Sequence, residues 1–427
     1  MVGLRCFFWV GALPLAFAGL PRPLSAAILQ SGNVEPDANL WNPGTISYIG
    51  NTTDGSVLVD GGTLLESGQS HLGFNTGTTG NTKITGESSS WTNSNLHVGG
   101  WGVGSLTIEA GGKVDSTFST LGVNSGSKGT AVVSGVGSQW MSSDSLTVGN
   151  RGSGTIRVEA GGNLRNGWTS TLGAYPGSTG TVTIVGTGSR WITAVYVGWE
   201  GSGTLQVEAG GQVFGTFGHL GVNSGSTGKA TVTGPGSLWR NTNSLYVGSS
   251  GNGLLTVSNG ALVTVKGSLN IDNNLDNDSF VNLATGGMLA LRGNGGDSLN
   301  QFLDLAYGTD AIRYWDTSLA DWSLLTNATY GDDYTLEYLT TGDLAGYTLL
   351  TVGRVGDFDN DGDVDGRDFL AWQRHPHLGS LADWQNAYGS DSLSATAVVP
   401  EPSCSALLLG FMLLSGRVRG PRISVHL

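Results

Sequence analysis

Residues 357–368 read Asp-Phe-Asp-Asn-Asp-Gly-Asp-Val-Asp-Gly-Arg-Asp, which places six carboxylates in twelve residues. A calcium loop of this length draws oxygens from positions 1, 3 and 5, the backbone carbonyl of 7, and positions 9 and 12, with glycine at 6 for the turn. Asp357, Asp359, Asp361, the carbonyl of Asp363, Asp365 (directly or through water) and Asp368 fall on those positions, and Gly362 falls on the sixth. Without a cation so many carboxylates would repel one another. A solvated acidic linker is the plainer alternative. It is disfavoured by the glycine and by the apolar run Phe369-Leu-Ala-Trp372 that follows. Calcium is therefore the expected cofactor, with these six aspartates as the metal site.

No other group of residues has spacing that demands chemistry. Glu109, Glu159 and Glu208 recur in identical Glu-Ala-Gly-Gly corners. Two rungs of a stacked coil would set them ~9.6 Å apart, near the upper limit for paired carboxylates of an inverting glycosidase. A catalytic site is made once, so a solvated or turn-capping role is favoured. His71 and His219 share a column but lie too far apart to act together. His71 and His97 are expected as exposed polar neighbours on adjacent rungs. Gly100-x-Gly102-x-Gly104 has no helix after it and is no nucleotide loop. Trp91, Trp140, Trp191 and Trp239 occupy one column. A packed corner stack is the favoured reading, and a row of outward sugar platforms is the alternative.

The elements that must position these residues form a repeat. Leu96–Val114 (LHVGGWGVGSLTIEAGGKV), Leu146–Leu164 and Val195–Val213 are its clearest copies. Between them lie copies that begin at Leu121, Leu172 and Leu220 and close on Trp140, Trp191 and Trp239. The first apolar residue of each copy (Ile46, Leu72, Leu96, Leu121, Leu146, Leu172, Val195, Leu220, Leu245, Leu269) steps by about twenty-five residues, the mark of a stacked coil. Within a copy the apolar residues alternate, as in Leu106 and Ile108 or Ile156 and Val158, which is the two-residue period of a strand. The expected fold is all-β, a parallel β-solenoid of about ten rungs, each with two or three short strands. At ~4.8 Å per rung the rod would be roughly 48 Å long. Glycine makes up 71 of 427 residues, and sharp corners with positive φ account for it.

Composition narrows the partners. A net charge of -13 argues against nucleic acid or anionic lipid. Cys6 and Cys404 lie outside the body of the chain, so no disulfide framework supports it.

In chain order, residues 1–27 read as a secretory signal: Arg5, an apolar run from Cys6 to Ala18, and Ser25-Ala26-Ala27 as a cleavage site. Residues 28–45 read as an N-terminal cap, 46–293 as the solenoid and 294–355 as a C-terminal cap. In that cap Leu299, Phe302, Leu303 and Leu305 suggest a short helix, and Tyr334–Leu339 with Tyr347–Val352 suggests a hairpin. Residues 356–389 form the acidic-loop module, 390–398 a linker and 399–427 a tail. The tail runs Val399-Pro400-Glu401-Pro402, an apolar stretch from Cys404 to Leu414 expected to be helical, then Arg417, Arg419 and Arg422. Such a stretch with a positive stop suits transient membrane contact.

Three resemblances follow from these residues. The acidic loop, with a helix after it and strand and turn (Thr351-Val-Gly-Arg-Val-Gly) before it, resembles the EF-hand-like loop of a type I dockerin. The second dockerin half survives only as Leu381-Ala-Asp-Trp384-Gln-Asn-Ala-Tyr388, without an Asp loop. The resemblance carries over calcium binding; a cohesin-like partner is the weaker implication, because Gly366 and Arg367 replace the small hydroxyl residues often used for that recognition. Pro400, Glu401 and Pro402 with their apolar stretch and arginines resemble the PEP-CTERM sorting signal, which implies handling by an exosortase-type enzyme and association with extracellular polysaccharide and biofilm. The array resembles the repeats of autotransporter passengers and bacterial adhesins, which implies a rod. Together these give an exported, non-enzymatic surface or matrix protein, with extracellular polysaccharide or surface proteins as partners. The alternatives are a carbohydrate-active or glycan-binding β-helix protein, and a docking subunit of a polysaccharide-degrading assembly.

Overall fold

The computed structural model describes residues 27–273, 278–293, 298–316, 318–353, 356–359, 364–374 and 381–388. The alternating apolar pattern produces a parallel β-solenoid of about ten turns. One wall is a thirteen-stranded sheet. Its strands, such as Val103–Glu109, Lys128–Ser134 and Ser153–Glu159, pair parallel and in register from turn to turn. Two further walls complete each turn, for example Gln139–Ser142 and Leu146–Val148. In some turns one long strand bends across both walls, as Lys113–Leu121 does. The inward columns are closed to solvent: Leu106, Ile108, Ile156, Val158, Leu205 and Val207 are all 0% exposed.

Register is where the structure departs from the sequence expectation. The column begun by Ile46 and Leu72 is not one column. Ile46 is exposed, and Ile49 is the residue that pairs with Leu72. Leu72 then pairs with Val98, Val98 with Leu121, and Leu121 with Val148, whereas Leu96 and Leu146 both pair with Ser119. The first turn is therefore offset by three residues from the sequence alignment, which turns Ile46 outward, and the turns of Leu96 and Leu146 are offset by two. A slip of two keeps every side chain on its own face, so the apolar pattern does not reveal it.

The offset alternates large and small residues in the core. The column of tryptophans reads Leu65, Trp91, Val114, Trp140, Leu164, Trp191, Val213, Trp239, Val263 in successive turns. All four indoles are 0% exposed. They pack as favoured, but against aliphatic residues and not in an indole stack, and as outward sugar platforms they are excluded. Each of the first three indole N–H groups donates to a residue of the turn before: Trp91 to Ser67 at 2.9 Å, Trp140 to Ser116 at 3.3 Å and Trp191 to Asn166 at 3.0 Å.

Many glycines sit at corners with positive φ. A second set does not. Gly55, Gly80, Gly104, Gly129, Gly154, Gly180, Gly203, Gly228 and Gly253 form an unbroken ladder inside the strands of the large wall. A Cβ on Gly129 would stand 2.1 Å from the Val98 carbonyl oxygen, and one on Gly154 would stand 2.2 Å from the Gly149 nitrogen. Close backbone approach, not turning, requires glycine along this line.

Both ends are covered by reversed strands. Ala27–Gly32 pairs antiparallel with Gly55–Asp60, and Val34–Glu35 antiparallel with Ile46–Ile49. At the other end Asp321–Leu324 pairs antiparallel with Ile312–Asp316, and the hairpin of Tyr334–Leu339 and Tyr347–Val352 pairs antiparallel with Met288–Arg292. The parallel ladder itself runs past residue 293, since Ala306–Tyr307 and Ile312–Asp316 still pair parallel with the turn before. The short helix α1 (Leu299–Leu303) buries Phe302 and Leu303 beside that last turn. Among the described residues no helix is long and apolar enough to cross a membrane. Residues 1–26 and the whole tail, with Pro400, Glu401, Pro402 and the expected apolar helix, lie outside the described residues.

Candidate functional site

After the hairpin the acidic loop leads into α2 (Gly366–Arg374). Asp357, Asp359 and Asp368 offer carboxylate oxygens that all lie within 4.8 Å of one another. Asp357 and Asp368 are buried and Asp359 is exposed. Asp368, in the first turn of α2, is 0% exposed and ties the loop together. Its Oδ1 accepts from the Asp359 N–H at 2.9 Å and its Oδ2 from the Asp365 N–H at 2.7 Å. Charges at this separation repel by about 3 kcal/mol per pair at an effective dielectric of ~20, before screening at exposed Asp359. Hard oxygen donors converging on one side of a tight loop suit a divalent cation such as calcium, so the residues present fit the group.

Asp365 has a structural role beside its expected place among the ligands. Its Oδ1 accepts from the Arg367 N–H at 2.6 Å, where it caps α2, because an Asp one residue before a helix satisfies an N–H that the helix leaves open. Asp361 and Asp363 lie outside the described residues.

The helix that follows also contacts this loop. Helix α3 (Leu381–Ala387) lays Trp384 on Phe369 at 5.1 Å between ring centroids, and the indole N–H donates to the Asp365 carbonyl at 2.7 Å. Trp372 also stacks on Phe369, at 5.9 Å. The second helix thus braces the exit of the acidic loop through a ring contact and a backbone hydrogen bond.

The glutamate column is interrupted by unlike residues. Ser134 stands between Glu109 and Glu159, and Val185 between Glu159 and Glu208. Glu109 pairs with Lys83 at 2.7 Å and Glu159 with Arg157 on its own strand.

The histidines differ from expectation. His71 and His97 are neighbours on adjacent turns, but His71 is only 8% exposed. Their Nδ1 atoms stand 3.2 Å apart, and His71 lies on Tyr48 at 5.1 Å with Phe74 edge-on at 4.9 Å. Burial, and the neighbouring His97, hold His71 down at about 4. His219 is lowered to about 4 by burial. These residues belong to one outward column that reads Tyr48, His71, His97, Thr120, Thr147, Thr171, Tyr196, His219, Tyr246. Sequence reasoning missed its aromatic character. The signal available was the recurrence of Tyr196, His219 and Tyr246 at the repeat spacing.

No protein-family model matches the chain, and neither a curated protein nor a solved structure matches it. The fold places the chain in the class of parallel β-solenoid repeat proteins.

Proposed function

We propose that the chain is an exported, non-enzymatic rod of the cell surface or extracellular matrix, sorted through its 399–427 tail and carrying a calcium-binding module at the C-terminal end of the rod. One observation carries the reading: the parallel ladder is closed at both ends by antiparallel strands. An open solenoid end offers unpaired N–H and C=O groups in the parallel register of a further turn, and short reversed strands interrupt that register at each end. The result is a spacer of defined length that does not polymerise end to end. Asp357, Asp359 and Asp368 would hold the calcium, with Asp361 and Asp363 supplying further oxygens as the loop spacing implies. The cation supplies charge neutralisation and so orders the loop on α2.

The test is protease shaving and fractionation of cells that produce either the full chain or a chain lacking residues 399–427. The full chain is expected on the outer surface or in the matrix, and the shortened chain in the medium. Retention of both in the cytoplasm refutes export. Release of the full chain and the shortened chain alike refutes tail-directed sorting.

A further inference from the structure

Halfway along the rod the outward column changes size abruptly. Thr147 pairs with Thr171, and Thr171 with Tyr196, so two short hydroxyl side chains ~4.8 Å apart meet a tall ring. Tyr196 is propped from behind by His219 at 5.2 Å and Phe217 at 5.3 Å, and His219 is itself stacked on Tyr246 at 4.3 Å and 13°. Trp199, from the corner of the same turn, stands edge-on to Tyr196 at 4.8 Å. The step borders an open surface cleft of about 410 Å³, lined also by Tyr175 and Glu200.

The lining has a definite chemistry. Tyr196 and Trp199 are half-buried and held by ring contacts, so their exposed faces are fixed in direction. Thr147 and Thr171 each offer one donor and two acceptor positions. Glu200 is the charged residue of the lining, and Arg151 lies outside it, 4.6 Å over the Tyr175 ring. The strand N–H and C=O groups of this wall are committed to the turn-to-turn ladder, so an extended peptide finds no edge to join. A sugar ring has an apolar C–H face that suits an aromatic platform and a girdle of hydroxyls that both donate and accept. The net charge of -13 disfavours an anionic polymer.

We infer that this cleft binds a neutral oligosaccharide, with Tyr196 and Trp199 as stacking platforms and Thr147, Thr171 and Glu200 as hydroxyl partners. The site is separate from the buried tryptophan column and from the acidic loop, and it gives the rod a side-on grip on a neutral polysaccharide.

The test is calorimetric titration of the full chain with neutral hexaoses of glucose, mannose, galactose and N-acetylglucosamine, with an extended uncharged decapeptide as the competing class. At least one hexaose is expected to bind, about tenfold more weakly to Trp199→Ala. Thr171→Lys, which fills the floor, should weaken the same hexaose by a similar factor. Trp168→Ala, an exposed aromatic outside the cleft at 70% exposure, should leave affinity unchanged. Thermal unfolding of each variant checks that the solenoid is intact. No binding of any hexaose at millimolar concentration overturns the inference. So does binding that survives both Trp199→Ala and Thr171→Lys, or binding of the decapeptide in place of the sugars.

Discussion

Replacing Gly154 by alanine asks whether the internal glycine ladder exists for close approach or for turning. Gly154 sits second in the strand Ser153–Glu159, paired with Gly129 and Gly180, and its φ is not in the left-handed region. A Cβ there would meet the Gly149 nitrogen at 2.2 Å and the Val148 carbonyl carbon at 2.8 Å. Both are backbone atoms, so no rotamer change relieves the clash and the corner at 149 must move off the strand. Overpacking of a filled interior costs about 1–3 kcal/mol, and a backbone obstacle puts Gly154→Ala near the top, about 3 kcal/mol. Gly177 provides the contrast: its φ is +78° with nothing within 4 Å of the added Cβ. Gly177→Ala therefore incurs only the left-handed strain of an L-residue, about 1–2 kcal/mol. Urea unfolding followed by far-UV circular dichroism and tryptophan fluorescence measures both. Trp140 and Trp191, buried on either side of residue 154, report the turns that must shift. A Gly154→Ala protein within about 0.5 kcal/mol of the parent refutes the close-approach account. Equal losses for the two variants would refute the ranking of a backbone clash above left-handed strain.

Two further outcomes are expected. Calorimetry should find a calcium site that Asp368→Ala abolishes, and chelation should speed proteolysis within residues 356–388 of the parent but not of the variant; calcium binding of equal strength to both proteins excludes Asp368 from the site. Lowering pH should destabilise the rod through His71 and His219. Both are neutral in the fold with values lowered to about 4, so the unfolded chain takes up protons first. Stability is full above 6.5 and is lost as pH falls towards 4, by roughly 2 kcal/mol per imidazole at pH 4.5 after allowance for solvent screening. His71→Phe/His219→Phe should flatten melting temperature between pH 7.5 and 4.5, and an unchanged pH dependence would remove the histidines from the account.

The solenoid was legible because its signal is local and repeated. Alternation in Leu106-x-Ile108 or Ile156-x-Val158 dictates which side chains enter the core, and the Gly-Gly corners dictate where the chain turns. The acidic loop was legible for a related reason: Asp357, Asp359 and Asp368 converge through a turn whose spacing is short-range. Asp365 also caps α2 through Oδ1, a second use of the same carboxylate that a spacing rule does not reveal.

What the sequence alone determined is therefore the inward or outward side of the strand residues in the regular repeats and the approximate length of a turn, since both follow from backbone geometry within a few residues. Only the tertiary structure decided the pairing of one turn with the next. A shift by two residues preserves the hydrophobic face, so the choice falls to packing between turns, where Trp239 fills the space that a Cβ on Gly218 would take. That same choice assembles the outward column in which Thr147 and Thr171 meet Tyr196. Those residues are far apart along the chain and become neighbours only through the packing of the core behind them.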